Sequence, residues 1–333
     1  MLRSARSARS LGLGALALAL LCSGCGQAAA HSAAPDPFSV KAVAGKLEAF
    51  ESIARAHGDT RASGTPGYAA SLDYVRGELE KAGLHPQEAT TTTPEGRFKG
   101  RTTTSLTADI PSTSEQVLLV GAHLDSVQAG PGINDNATGV TALLALAAHA
   151  QEQHWKPRST VRLAFWGDEE QGLLGSTGWL AAHGREHLRG YVNIDMIGAK
   201  DGTFRISDSD GHGFAELPAA QRDALAKLDV PRPPAGSAAL SHELEHALDR
   251  RALPREPDEV DYMSTDSAPF IATGIPTADI TSVHSSVDDK GVLTYAPCYH
   301  QKCDTLDKVD VPRTAQAARS LSDAVTALAD ENT

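Results

Sequence analysis

Basic residues are in short supply in this chain: 30 lysines and arginines stand against 42 aspartates and glutamates, a formal charge of −12. So acidic a body argues against nucleic acid and anionic lipid as partners. A nucleophile elbow of the Gly-x-Ser-x-Gly type is missing, which leaves serine hydrolysis without support. The uninterrupted Leu/Ala/Gly run at residues 11–21 falls well short of the roughly 20 residues a membrane-spanning helix needs. Cysteine is scarce, with Cys22 and Cys25 near the start and Cys298 and Cys303 near the end.

The short apolar run has a different meaning in context. Arg3, Arg6 and Arg9 precede it and small residues follow, the pattern of an export signal over residues 1–25. Leu21-Cys22-Ser23-Gly24-Cys25 resembles a bacterial lipoprotein signal, in which Cys25 becomes the lipidated first residue; a rival cut after Ala28-Ala29-Ala30 would release a soluble enzyme. Either route places the mature chain outside the cytoplasm, anchored on the outer side of the cell membrane or secreted. Membrane contact is expected only through a lipid on Cys25. In an oxidising compartment Cys298 and Cys303, four residues apart, are expected to form a local disulfide, with two reduced buried thiols as the other reading.

Residues 26–37 are small, polar and proline-containing, and read as a flexible tether before a domain spanning 38–333. With 333 residues and 41% hydrophobic content, a large core is affordable. Val43, Leu47, Phe50 and Ala54 recur at helical spacing, as do Ala69, Leu72, Val75, Leu79 and Ala82 after the turn residues Gly64-Thr65-Pro66-Gly67. Short apolar runs at 117–122, 161–166 and 191–194 read as buried strands, with helices at 140–150 and 173–182 between them and a closing helix at 315–329. That alternation predicts one α/β domain, a mixed and mostly parallel sheet with helices on both faces. Residues 211–259 read as an elaboration on the same domain.

In an open α/β sheet the ligand site lies at the carboxyl ends of the strands. His123 and Asp125 follow the first buried run, Asp168, Glu169 and Glu170 the second, and Asp195 ends the third; Asp135 sits in a loop before the next helix. So many carboxylates require a cation. Histidine with carboxylate suits zinc, whereas an all-oxygen shell would suit calcium or magnesium. Of the neighbours Glu169 and Glu170, one is expected to bind metal and the other to move protons.

Gly64-Thr65-Pro66-Gly67-Tyr68, Ala122-His123-Leu124-Asp125-Ser126, Gly130-Pro131-Gly132-Ile133-Asn134-Asp135-Asn136, Trp166-Gly167-Asp168-Glu169-Glu170, Asn193-Ile194-Asp195-Met196 and Cys298-Tyr299-His300-Gln301-Lys302-Cys303-Asp304 stand in the order found in the zinc aminopeptidases related to secreted Streptomyces and Vibrio enzymes. The chain resembles that M28-type family from residue 64 to 304. The resemblance implies two zinc ions per chain, one held by His123 and Asp195, the other by Glu170 and His300, with Asp135 bridging. It makes Glu169 the general base, Asp125 the partner of the far nitrogen of His123, and Tyr299 a donor to the oxyanion, on a loop pinned by a Cys298–Cys303 bridge. Substrates would be peptides with a free N-terminus, their amine recognised by carboxylates beside the metals. A preference for large apolar N-terminal residues is expected, with Met196 and Phe270 in the pocket wall.

Two other activities compete. A glutaminyl cyclase of the same fold would use one zinc, and a catalytically silent lipoprotein would only bind peptides or metal. His242-Glu243-Leu244-Glu245-His246 matches the His-Glu-x-x-His zinc pattern, yet lies in a highly charged helix and reads as a solvated face. Asp304, Asp307 and Asp310 raise the question of calcium; three acids at that spacing read as a solvated helical face, and no calcium site is assigned.

Overall fold

The computed structural model describes residues 35–331, leaving out 186, 218, 220, 221, 224, 225, 229, 285, 288–292, 295 and 297. The expected signal segment 1–25, with Cys22 and Cys25, and most of the tether lie outside the described residues. The tether's last residues do not fit that reading. Asp36 accepts from the backbone N–H of Phe38 at 3.0 Å and pairs with Arg319, while Pro37 and Phe38 are buried.

Local sequence sets the helix starts. Helix α1 (Val40–Ala56) begins where the Ser39 hydroxyl accepts from Ala42 N–H, and α2 (Pro66–Lys81) where Thr65 caps and Pro66 supplies a preset φ. The predicted apolar stripe of α1, Val43, Leu47, Phe50 and Ala54, is wholly buried. Further along come α3 (Thr138–Glu152), α4 (Leu174–His183), α5 (Ser237–Asp249), α6 (Ser267–Ala272) and α7 (Val311–Asp330), besides short helical turns such as His212–Glu216.

The three predicted strands form the middle of an eight-stranded sheet: β3 (Val117–His123), β4 (Thr160–Trp166) and β5 (Leu188–Asp195). Five more were not legible as strands: β1 (Gln87–Thr92), β2 (Thr102–Ile110), β6 (Thr203–Ser207), β7 (Arg255–Asp258) and β8 (Thr277–Val283). Their order across the sheet is β1-β2-β4-β3-β5-β8-β6-β7. The run β4-β3-β5-β8 is parallel, while β1 and β2 add an antiparallel edge and β6 joins β8 antiparallel. Strand β7 pairs parallel with β6, so the end of the region 211–259 is built into the same sheet.

Alternation along the strands shows both faces covered. Leu118, Val120, Leu163 and Phe165 point into the larger core, against α1, α3 and α7. Their neighbours Leu119, Ala164 and Trp166 enter a smaller core with Trp179 and Leu180 of α4 and Phe270 of α6. Because Leu118 is fully buried at the centre of the sheet, Leu118→Ala should cost about 2–5 kcal/mol. Denaturant titration should show a lower midpoint with an unchanged slope.

Candidate metal centre

Parallel register brings the chemistry to one edge. His123, the last residue of β3, is opposite Trp166, the last of β4, and Asp195 ends β5 beside them. A loop from Gly132 to Ala137 crosses above these ends into α3 and presents Asp135. His300 arrives from the far end of the chain, in a loop closed by a disulfide between Cys298 and Cys303.

The five side chains expected to hold metal meet with a definite pattern. His123 Nε2 lies 3.0 Å from Asp135 Oδ1 and 3.3 Å from Asp195 Oδ1. On the other side His300 Nε2 lies 3.2 Å from Asp135 Oδ2 and 3.0 Å from Glu170 Oε2. Asp135 thus divides its two oxygens between two histidine–carboxylate pairs. Its carboxyl is buried, which raises the pKa, but hydrogen bonds to His123 and His300 prevail and hold it well below the usual range. For His300, burial is likewise outweighed, by Asp135 and Glu170, and the imidazole is carried up to about 10. Burial and the charge of Asp135 push Glu170 up to about 7. Burial also lifts Glu169 well above a normal glutamate.

This donor set fits a divalent cation. Ligand atoms of His123, Asp135 and Glu170 lie within 4.8 Å of one another, and Glu170 Oε1 is buried without a hydrogen-bond partner among the described residues. Imidazole with carboxylate favours zinc over calcium.

Several groups not picked out by their own pattern hold Asp135 in place. Asp304 is buried and accepts from the backbone N–H of Asn134 at 2.9 Å and of Asp135 at 3.1 Å. The acids 304, 307 and 310 therefore share no solvated face: Asp307 is exposed in a short turn and Asp310 caps α7 by accepting from Arg313 N–H. Arg61, fully buried, donates to the carbonyls of Leu124, Pro131 (2.8 Å) and Gly132. Desolvation lowers its pKa to about 10, so it remains a cation at neutral pH, clamped on three carbonyls of this loop region. Asn136 reaches across, donating to Ile194 O at 2.8 Å and accepting from Met196 N–H. Gly132 has φ 63°, and a Cβ there would lie 2.4 Å from Asp135 O. Gly130 packs so closely that a Cβ would lie 2.2 Å from Gln301 O, which ties this loop to the one bearing His300.

One expectation needs correction and another gains a second role. His123 Nδ1 faces the backbone carbonyl of Asp125 at 3.1 Å and the Asp125 carboxylate at 3.7 Å. That carboxylate also accepts from Glu169 N–H at 3.2 Å, so it positions the segment carrying Glu169. Phe270 is fully buried, its ring 4.0 Å from Tyr191 in the smaller core, and takes no part in the cavity wall. Its place on α6 turns it under the sheet. Met196 does line the cavity, an opening of about 250 Å³ whose wall also includes Glu169, Glu170, Leu173, Tyr299 and His300. The Tyr299 ring stacks on that of His300 with centroids 3.8 Å apart. Asp168 lies outside the cluster, bound by Arg101 at 2.9 Å and by Thr103. His242 and His246 are exposed on α5, with His242 3.0 Å from Asp210, while Leu240 and Leu244 form the buried face.

Solved structures share this architecture. A solved structure of a zinc aminopeptidase from Bacillus subtilis superposes with a TM-score of 0.68 at 14% identity, covering 90% of this chain and 97% of that one. Porphyromonas gingivalis glutaminyl cyclase shares the fold equally well, with a TM-score of 0.66 at 19% identity over 88% and 100% of the two chains. Residues 105–325 match the profile of peptidase family M28, and the chain belongs to that family. Leupeptin-inactivating enzyme 1 of Streptomyces exfoliatus is 33% identical over 296 residues, 84% of this chain and 60% of the relative, so this chain spans about three fifths of that protein's length.

If Asp304 sets the bridging loop, Asp304→Ala should weaken divalent metal retention about 10–100-fold. Competition against a chromogenic chelator measures it; wild-type retention would mean the loop holds itself.

Proposed function

We propose that this chain is an exported two-zinc aminopeptidase, which removes the first residue from peptides with a free N-terminus. The observation that carries the reading is the division of Asp135 between two histidine–carboxylate pairs. His123 and Asp195 would hold one ion, His300 and Glu170 the other, with Asp135 between them. Bound zinc would supply Lewis acidity toward the scissile carbonyl and acidify water.

The chain's own groups supply the rest. Glu169, in the cavity and not among the five ligands, takes a proton from the attacking water and delivers it to the departing amine; its raised pKa suits that exchange. The Tyr299 hydroxyl donates to the oxyanion as it develops. Asp125 orients Glu169 through the backbone. The acids lining the cavity attract a charged free amine, which accounts for action at the end of a chain. Export is supported by the leader pattern at residues 1–25, and membrane contact would come only through lipid on Cys25. Calcium stays unassigned, with both Asp304 oxygens accepting from backbone N–H groups of the loop.

The cyclase reading shares the fold but needs one metal, and the five-donor set favours two. A silent lipoprotein would have no use for Glu169 in the cavity.

Three measurements test the proposal. A free-amine leucine anilide should be hydrolysed and its N-acetylated twin untouched; cleavage of both would sink the exopeptidase. Glu169→Gln should lower turnover about 10²–10⁴-fold with zinc content unchanged. Asp135→Ala should lose metal and activity together, and a variant that kept its zinc would refute the bridging role.

A further inference from the structure

The cavity wall is mixed, with Leu173, Met196 and Val283 beside an unusual polar pair, Asp279 and Thr281, on the β8 side that forms its floor. Along β8, Asp279, Thr281 and Val283 line the cavity while Ala278 and Ile280 face the larger core. Asp279 is 1% exposed. Its Oδ2 accepts from Asn193 Nδ2 at 2.8 Å, Thr265 Oγ at 2.9 Å and Ser267 Oγ at 2.8 Å, all neutral donors. Its Oδ1 has no hydrogen-bond partner among the described residues, and neither has the buried hydroxyl oxygen of Thr281. Asp261, also in the wall, is met by Arg205 at 3.1 Å. Among the described residues no lysine or arginine lines this cavity. A buried carboxylate with one oxygen unmet is favoured in its charged form by a cation brought against it.

Depth agrees with charge. Thr281 is in parallel register with Asp195, a proposed metal ligand, and Asp279 with Asn193. Asp279 therefore sits two residues deeper along the strand, about 7 Å below the reacting end. That is the reach of a long unbranched side chain.

We infer that this floor is the pocket for the side chain of the N-terminal residue, and that it selects lysine or arginine, with Asp279 as the counter-charge and Thr281 as a neutral acceptor. The inference rests on the aminopeptidase reading and revises the expectation of a large apolar residue, which leaned on Met196 and Phe270. An aliphatic side chain there would leave the Asp279 oxygen desolvated and unpaired, the condition under which sites discriminate strongly.

The test compares lysine with norleucine, which keeps the four-carbon chain but lacks the ammonium, on the zinc-loaded full chain. The kcat/KM for lysine anilide should exceed that for norleucine anilide at least ~10-fold, and Asp279→Asn, which keeps an acceptor for the three donors, should collapse that ratio toward one. Thr281→Val should lower the ratio by a smaller factor. Calorimetry with lysinamide and norleucinamide gives a readout independent of turnover, with lysinamide expected to bind at least ~10-fold more tightly. Equal or better use of norleucine, with a ratio unmoved by Asp279→Asn, would overturn the pocket assignment and leave the aminopeptidase standing. If no anilide were cleaved, the enzyme reading would fall and the amide affinities would still decide the pocket.

Discussion

Asp135 lies between two histidines with one carboxylate oxygen turned to each, and the surrounding chain is organised to keep it there. A short acidic loop over the ends of strands would ordinarily move away from Asp195 and Glu170. It is held by Arg61 before α2 and Asp304 after the disulfide, which reach it from distant parts of the sequence, and by its own Asn136 bonding to the end of β5. Arg61 contributes without pairing to an acid. Its three carbonyl contacts fix backbone, so its charge also offsets the acidic cluster from one side.

The sheet explains why these groups meet. Parallel strands β4, β3, β5 and β8 end at one edge, and each contributes where it ends: Glu169 and Glu170 just after β4, His123 on β3, Asp195 on β5 and the cavity floor on β8. Antiparallel strands β1 and β2 extend the side next to β4, where Thr103 and Arg101 bind Asp168 and so fix the turn before Glu169. Burial of both sheet faces leaves this edge as the place where polar groups can gather around a cation.

Much of this was legible in advance, for a physical reason. Strands covered on both faces read as unbroken apolar runs, so β3, β4 and β5 stood out, and with them the acids at their ends. Strand β1 is a threonine-rich edge with little buried surface, and β2 opens on Thr102-Thr103-Thr104-Ser105, so neither has an apolar run to announce it. Strand β8 was hidden because its cavity face is Asp279 and Thr281; the polarity that masked it as a strand is what makes it informative about substrate. Arg61 carried no local signal, being a lone cation that bonds only backbone far away. Asp304 was read by its spacing to Asp307 and Asp310, but its role is set by the loop it supports. Phe270 was expected in the pocket wall, and its ring packs in the smaller core against Tyr191 and Trp166 instead.

The most direct test of the central claim is anomalous scattering at the zinc edge from crystals of the metal-loaded protein. Two peaks about 3.5–4 Å apart, one by His123 and Asp195 and one by His300 and Glu170 with Asp135 touching both, are the predicted result. A single peak in a fully loaded crystal, or two peaks with Asp135 ligating neither or only one, would contradict the account.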